Sequence, residues 1–231
     1  MNDEIKNYFH FIGIGGIAGS GKDLFFTLCK EYLRKLKIHT TKVSLADKLK
    51  SEVEPAIKDM YGFNLANCSR KQKDLVRSHL VFYGKVKRKQ TKGRHWIEQA
   101  EKTISKLYKN SSSQGLVKPF VFVTDIRYHE YKEDETHWIK KELGGTLVHV
   151  QKFTPSPEID KQEIPTGLFL KKWPHAPNSS EEKNDPRVQR VSDKLIKWQN
   201  YENLPLNKIK KLLSPVAKSF IDKELEKLNP K

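Results

Sequence analysis

The sequence contains little cysteine: Cys29 and Cys68 are the two thiols among 231 residues. Their spacing matches no metal-binding motif, and two cysteines are too few for a disulfide framework, which excludes small disulfide-rich proteins and zinc fingers. The sequence has no run of about 18 apolar residues, which argues against a membrane-spanning helix. Residues 1–4 are polar and lack the basic and apolar stretches of a secretory signal. We therefore expect a protein of the reducing cytoplasm.

Acidic residues are scarce relative to basic ones, with 28 Asp and Glu against 44 Lys and Arg and a formal net charge of +16. A field of this sign attracts polyanions such as nucleotides and nucleic acids. The lysines are spread along segments such as 30–37 and 207–227, so a solvated basic surface explains them equally well. The sequence also lacks a helix-turn-helix, a zinc finger and an aromatic–basic strand motif, which argues against nucleic acid as the partner although the charge alone does not exclude it.

Hydrophobic residues make up 36% of the chain, enough for the core of one α/β domain over residues 1–231. Segments rich in aromatic and β-branched residues alternate with segments of helical periodicity, and no internal repeat occurs. This alternation predicts a three-layer α/β/α fold around a mostly parallel sheet. The predicted strands are 8–14, 39–45, 119–124, 146–151 and 194–199; the predicted helices are 22–36, 46–60, 73–83, 94–108, 130–143 and 204–228, with a basic loop at 84–93.

A glycine-rich segment, residues 16–23, reads GIAGSGKD and matches the phosphate-loop pattern G-x-x-x-x-G-K between a predicted strand and a predicted helix. Glycines let the backbone turn so that successive N–H groups face an anion, and the positive end of the following helix adds to the attraction. Lys22 can reach the terminal phosphates, and we expect its side chain to be exposed. The predicted nucleotide-binding residues are Gly16, Gly19, Ser20, Gly21, Lys22 and Asp23.

Asp23 occupies the position that usually carries a serine or threonine ligand of Mg²⁺. A carboxylate can also hold Mg²⁺, directly or through water, so Asp23 is a candidate metal ligand. It can equally accept a proton or a hydrogen bond from a neighbouring group. A carboxylate in the first helical turn is also favoured by the helix dipole alone.

Asp125 and Arg127 follow the predicted strand 119–124 directly. Ligands of open α/β sheets bind at the carboxyl ends of the strands, so both side chains should share a rim with the glycine-rich segment. Asp125 is a candidate for the metal-bound water, and Arg127 can brace a phosphate group through two hydrogen bonds. A local ion pair that closes the strand is the alternative interpretation. The predicted catalytic residues are Lys22, Asp23, Asp125 and Arg127.

Arg77, Arg88 and Trp96 flank the basic segment 84–93 and are candidate substrate-binding residues. Guanidinium groups suit phosphate recognition, and an indole can stack on a base. A solvated basic face explains the arginines as well. Trp96 also has helical spacing with Ile97 and Ala100, so a core position is an equally good interpretation.

In their order, these segments resemble the bacteriophage deoxynucleoside monophosphate kinases, a branch of the phosphate-loop kinases. The resemblance spans roughly residues 10–225, and the glycine-rich segment is its most specific part. Leu24 and Lys48 replace a threonine and a proline that are usual in that family, and the step from Asp125 to Glu130 is one residue short. The matching segments are GIAGSGKD at 16–23, LADKLK at 45–50, Val76 and Arg77 with Tyr83, Gly84 and Trp96, DIR at 125–127 with His129 and Glu130, LGGTLVHV at 143–150, and SSE at 179–181.

The resemblance implies transfer of a phosphoryl group from ATP, with Mg²⁺, to a deoxynucleoside monophosphate in the host cytoplasm of a phage. It implies that 46–110 is a helical insertion that binds the acceptor and that 155–185 is a lid. It also implies substrate-binding roles for Arg77, Arg88, Trp96, Asp125, Arg127 and Glu130. The oligomeric state stays open, a homodimer included.

Two other functions fit the same residues. One is a phosphate-loop kinase for a different small phosphorylated acceptor, such as phosphomevalonate or dephospho-coenzyme A. The other is a basic nucleic-acid-binding protein whose phosphate loop is vestigial or serves an ATPase.

Overall fold

The protein folds around a five-stranded sheet in which every pair of neighbouring strands is parallel, in a computed structural model that describes residues 1–111, 117–153, 179–201 and 203–228. The strand order is β2-β3-β1-β4-β5. The predicted three-layer α/β/α fold class is confirmed. The strands are β1 (His10–Gly15), β2 (Thr40–Ser44), β3 (Phe120–Ile126), β4 (Thr146–Phe153) and β5 (Lys194–Gln199).

Helices cover both faces of the sheet, and α6 continues into a π-helical turn at Trp138–Glu142. None of the helices in the described ranges is long and apolar enough to cross a membrane. The helices are α1 (Asp3–Tyr8), α2 (Lys22–Lys35), α3 (Leu45–Tyr61), α4 (Arg70–Gln90), α5 (Arg94–Lys109), α6 (Glu135–His137), α7 (Ser179–Val191) and α8 (Leu206–Leu228).

Alternate residues of the central strands divide the core into two layers. Phe11 of β1 and Val121 of β3 pack with Trp96 and Trp138 on one face. Their neighbours Ile12 and Phe122 pack with side chains of α2 and α8 on the other. Successive side chains of a strand point to opposite faces, and both faces here are apolar, as in parallel sheets covered by helices on both sides.

A third hydrophobic cluster, separate from the two layers of the sheet, joins α3 to α4. It consists of Val53, Ile57, Leu65 and Val76.

The predicted basic loop at 84–93 is wrong, because α4 continues unbroken through Gln90. Its N-terminus is fixed by a capping box in which Ser69 and Gln72 exchange hydrogen bonds. Lysine and arginine are good helix formers, so the basic run supports the helix. Gly84 looks like a loop residue but permits close packing, since a Cβ there would lie 2.8 Å from Leu49 Cδ1.

The predicted helix 130–143 is wrong at its start, because α6 begins only at Glu135. The Asp134 carboxylate accepts hydrogen bonds from the backbone N–H groups of Glu130, Tyr131 and Glu135. This arrangement holds the preceding turn outside the helix. Because Asp134 caps the helix from within the segment of helical periodicity, α6 begins five residues later than the sequence predicts.

The predicted lid at 155–185 lies largely outside the described residues, and its last part, from Ser179, belongs to α7. The predicted strand 194–199 is confirmed as β5. Pro215 lies inside α8, which continues through it to Leu228.

Candidate active site

The glycine-rich segment, residues 16–22, joins β1 to α2 and includes the first residue of α2; we call it the phosphate loop, after the pattern that its sequence matches. Gly16, Gly19 and Gly21 have φ angles of +128°, +79° and +94°, which residues with a Cβ rarely adopt. A Cβ on Gly16 would lie 2.5 Å from the carbonyl oxygen of Val150, and one on Gly21 would lie 2.6 Å from the ring of Trp198. Gly16 and Gly21 are therefore required both by backbone conformation and by close contacts with β4 and β5, and Gly19 is favoured by its conformation.

Lys22 is buried rather than exposed, contrary to the expectation from the sequence, with 8% of its surface accessible. Its ammonium group donates hydrogen bonds of 2.7 Å to the carbonyl oxygens of Gly16 and Ile17. The side chain of Lys22 thus turns back toward the loop. The residue also borders the cavity that lies in front of the loop. Burial, followed by the charge of Arg127, lowers the pKa of Lys22 to about 8, although neighbouring carboxylates oppose the shift.

Asp125 lies at the end of β3 with φ +66°. Ile14 pairs with Thr124 and Gly15 pairs with Ile126, so Asp125 is an extra residue in a bulge. The bulge turns its carboxylate to accept a hydrogen bond of 2.9 Å from Ser44 Oγ at the end of β2. Burial alone would raise the pKa of Asp125, but the charges of Arg127 and Lys22 hold it below the ordinary value. Asp125 is therefore an ionised carboxylate beside the phosphate loop.

Arg127 extends over the same rim, 3.7 Å from the Asp125 carboxylate. Its guanidinium donates a 2.7 Å hydrogen bond to Glu181 of α7, and its backbone N–H donates one of the same length to Glu135. Burial would lower the pKa of Arg127, but Asp125 and Glu181 raise it. The group thus remains a fixed cation at the carboxyl end of the sheet.

Asp23 begins α2 with its side chain 85% exposed. Lys42 of β2 donates a hydrogen bond of 2.6 Å to this carboxylate. Both residues border the cavity together with Asp125. Mg²⁺ is commonly held by one or two carboxylates together with substrate phosphates, and Asp23 and Asp125 each supply a carboxylate of this kind to the cavity wall. Over the described ranges, no group of three or more His, Cys, Asp or Glu forms a metal site of its own.

A cavity of about 480 Å³ opens in front of the phosphate loop and runs between α3 and α4. That volume lies within the range of small-molecule sites. Lys50, Lys73 and Arg77 add cationic groups to its far wall, and Leu49 and Leu80 add apolar ones. The wall therefore suits a ligand with an anionic part and an apolar or aromatic part.

The predicted substrate-binding residues do not all border this cavity. Arg77 borders it while pairing with Asp74 at 2.9 Å. Trp96 belongs to the buried core and only contributes to the cavity wall, so the core interpretation of this residue holds. Glu130 lies off the cavity wall, where Lys183 reaches it at 3.4 Å.

Arg88 is buried, with three hydrogen bonds of 2.8–3.0 Å to the carboxylates of Asp134 and Glu135. Its guanidinium also lies over the ring of Tyr128, 3.6 Å from the centroid. Most of its donors are therefore engaged by the protein, and Arg88 borders the cavity as part of an internal network.

Glu135 and Glu181 are site residues that sequence reasoning missed. Glu135 is buried and accepts hydrogen bonds from the backbone N–H groups of Arg127 and Tyr128, at 2.7 and 3.1 Å. Burial raises the pKa of Glu135 to about 7, against the opposing charge of Arg88. Glu135 belongs to no quoted motif. Glu181 ends the matching segment SSE at 179–181, but its place in the site becomes recognisable only when α7 brings it to the loop.

Comparison with known proteins adds a likeness of fold. No protein-family model and no curated protein sequence matches the chain. Solved structures that resemble it include a shikimate kinase from Acinetobacter baumannii in complex with shikimate, at 11% identity and a TM-score of 0.41 over 98% of this chain and 99% of that one. Another is TT1252 from Thermus thermophilus, at 16% identity and a TM-score of 0.39 over 93% and 98%. Likenesses of this size say nothing about substrate, so the assignment of the site depends on its own geometry.

Proposed function

We propose that the protein transfers the terminal phosphoryl group of ATP to a deoxynucleoside monophosphate, giving the diphosphate. The observation that carries this proposal is that the phosphate loop with Lys22 and the cation Arg127 border one cavity. Arg127 lies close enough for its charge to lower the pKa of Lys22. The loop with Lys22 suits the phosphates of a donor. Arg127 suits the phosphate of an acceptor that lies in line with the terminal phosphorus of the donor.

The donor side of the reaction depends on the phosphate loop. Its backbone N–H groups and the N-terminus of α2 hold the terminal phosphates, and Lys22 supplies a positive charge. When Mg²⁺ is bound, it neutralises charge on these phosphates, and Asp23 and Asp125 are the carboxylates that would hold it.

The acceptor side depends on Arg127, which holds the monophosphate in line with the terminal phosphorus of ATP. An oxygen of this phosphate attacks that phosphorus while the bond to the β-phosphate oxygen breaks, which leaves ADP and the nucleoside diphosphate. No proton has to be removed from the attacking phosphate oxygen, so positioning and charge stabilisation suffice.

The base of the acceptor would lie between α3 and α4. Leu49 and Leu80 form apolar surface there, and Gly84, Trp96 and Tyr128 also line the cavity. This part of the proposal follows the expectation that residues 46–110 bind the acceptor.

The test is product formation from each of the four common deoxynucleoside monophosphates with ATP and Mg²⁺, separated by ion-exchange chromatography. A diphosphate product from at least one of them, reduced about 100-fold or more in Lys22→Met, supports the proposal. ATP turnover with no diphosphate from any of the four would reject this acceptor class. A different phosphorylated acceptor would then be the function to examine.

A further inference from the structure

A buried carboxylate of α7 lies against the phosphate loop. Glu181 is 6% exposed. Its Oε1 accepts a hydrogen bond of 3.1 Å from the backbone N–H of Ala18 and one of 2.7 Å from the guanidinium of Arg127. The same oxygen therefore joins the donor side of the site to the acceptor side.

The two donors that Glu181 engages are of the kind that a phosphate oxygen uses. Ala18 lies in the phosphate loop, and its neighbours Gly19 and Lys22 border the cavity, as Ala18 does. Carboxylate and phosphate oxygens are both anionic acceptors that bind backbone N–H groups and guanidinium groups. An anion of the protein and an anion of the ligand thus compete for one pair of donors.

We propose that Glu181 is an internal substitute for a phosphate oxygen, which the ligand must displace from Ala18 and Arg127 before the site is productive. This inference rests on the proposed function of the loop as a phosphate site. In the free protein, Glu181 keeps Arg127 ordered and compensates its charge. In the complex, phosphate oxygens of the ligands take these donors, those of ATP at Ala18 and that of the acceptor at Arg127. Phosphate binding is therefore weakened by the free energy of the contacts that Glu181 gives up.

The neighbours of Glu181 on α7 hold the helix in place while the side chain exchanges. His149 and Asp185 form a pair with 2.9 Å between Nε2 and Oδ1 that joins α7 to β4. Val188 is fully buried, and a Cβ on Gly15 would lie 2.9 Å from it. The helix is thus anchored one and two turns beyond Glu181, so within the described part of α7 the exchange involves the Glu181 side chain and the first turn.

The charges around Glu181 determine how the electrostatic energy of the site changes when a phosphate replaces its carboxylate. Among the residues that the structure describes, Lys22 and Arg127 are cations close to it, and Asp125 and Asp185 are further carboxylates near Lys22. A phosphate that enters brings more negative charge than Glu181 carries away. The neutral variant Glu181→Gln keeps the shape of the side chain and weakens its hold on both donors.

The test is the affinity of inorganic tripolyphosphate, measured by isothermal titration calorimetry on the full chain. Glu181→Gln is expected to bind it about 5- to 30-fold more tightly than the wild type, equivalent to about 1–2 kcal/mol. Glu182→Gln is the matched control, because it removes the same charge from the neighbouring, exposed position of α7. The control is expected to stay within about twofold of the wild type.

Each outcome decides a different claim. Equal or weaker binding by Glu181→Gln, with measurable binding by the wild type, would overturn the role of Glu181 and leave the phosphate loop assignment standing. An equal gain in Glu182→Gln would also overturn it, since the effect would then be general charge. Absence of binding by the wild type and both variants would reject the phosphate site itself. If Glu181→Gln does not fold, Glu181→Asp is measured against the same criterion.

Discussion

The indole N–H of Trp198 donates a hydrogen bond of 2.9 Å to the carbonyl oxygen of Ser20, which ties β5 to the phosphate loop. The ring of the same tryptophan leaves no room for a Cβ on Gly21. One buried side chain therefore fixes both the orientation of a loop carbonyl and the path of the backbone that follows it.

Trp198→Phe removes this hydrogen bond and keeps an aromatic ring. Because a buried carbonyl then loses a partner, we expect a loss of about 1–3 kcal/mol in the free energy of unfolding and weaker ATP binding. Trp138→Phe is the matched control, since it loses an indole bond to Glu101 away from the loop. Denaturant unfolding and ATP titration check this; equal loss of ATP affinity in both variants would contradict the role of Trp198.

Gly21→Ala should damage the loop for two reasons that a second variant separates. Gly144 has φ +63° with open space around it, so Gly144→Ala adds the conformational strain alone, about 1 kcal/mol. At Gly21 the same strain adds to the contact with Trp198, and we expect about 2–4 kcal/mol and loss of ATP binding. Thermal unfolding of both variants checks the difference. Equal destabilisation of the two variants would contradict this prediction, because it would mean that the Trp198 ring moves aside with no loss in the free energy of unfolding.

Lys22 should take up a proton when the phosphates of a nucleotide bind. Its pKa is about 8 in the free protein, since burial and Arg127 favour the neutral amine. Bound phosphates favour the ammonium form, so binding near pH 8 should take up about half a proton at this group, and binding at pH 6.5 almost none. Calorimetry in buffers of different ionisation enthalpy measures this uptake. Lys22→Met should lose the difference between the two pH values, and its persistence would contradict the assignment.

Glu135 should make the protein less stable as the pH rises from about 4.5 to 7. Its folded pKa is about 7, above the ordinary 4.5, so the folded state binds more protons than the unfolded state in this interval. The free energy of unfolding therefore falls by up to about 3 kcal/mol across it. Glu135→Gln should remove this part of the slope in urea unfolding, and Glu130→Gln, with a half-exposed side chain, should keep it. Identical slopes in wild type and Glu135→Gln would contradict the prediction.

The sequence predicts well both the sheet and the strand–loop–helix unit around the glycine-rich segment, because both depend on local signals. The apolar strand before Gly16 and the helical spacing after Gly21 fix the order of strand, loop and helix. The position of Asp125 and Arg127 beside this loop is predictable because the carboxyl ends of parallel strands meet on one rim. The position of Lys22 was missed, because the curl of its chain onto loop carbonyls depends on the folded loop.

The parts that sequence reasoning missed depend on contacts between distant segments. Glu181 reaches Ala18 across 163 positions of the chain, and Arg88 meets Asp134 across 46. No periodicity or motif encodes such pairs. Two predicted helix boundaries were wrong for a related reason. The Asp134 side chain accepts hydrogen bonds from the turn before α6, and Gly84 lies inside α4, where Leu49 of α3 packs closely against it.

The central claim is that one cavity holds a donor triphosphate at the phosphate loop and an acceptor phosphate at Arg127. Its most direct test is the affinity of a bisubstrate analogue, in which adenosine and a deoxynucleoside are joined through five phosphates. We expect it to bind at least about 100-fold more tightly than ATP, since one molecule then engages both sides of the site. An analogue that binds no more tightly than ATP alone, for each of the four bases, would contradict the account.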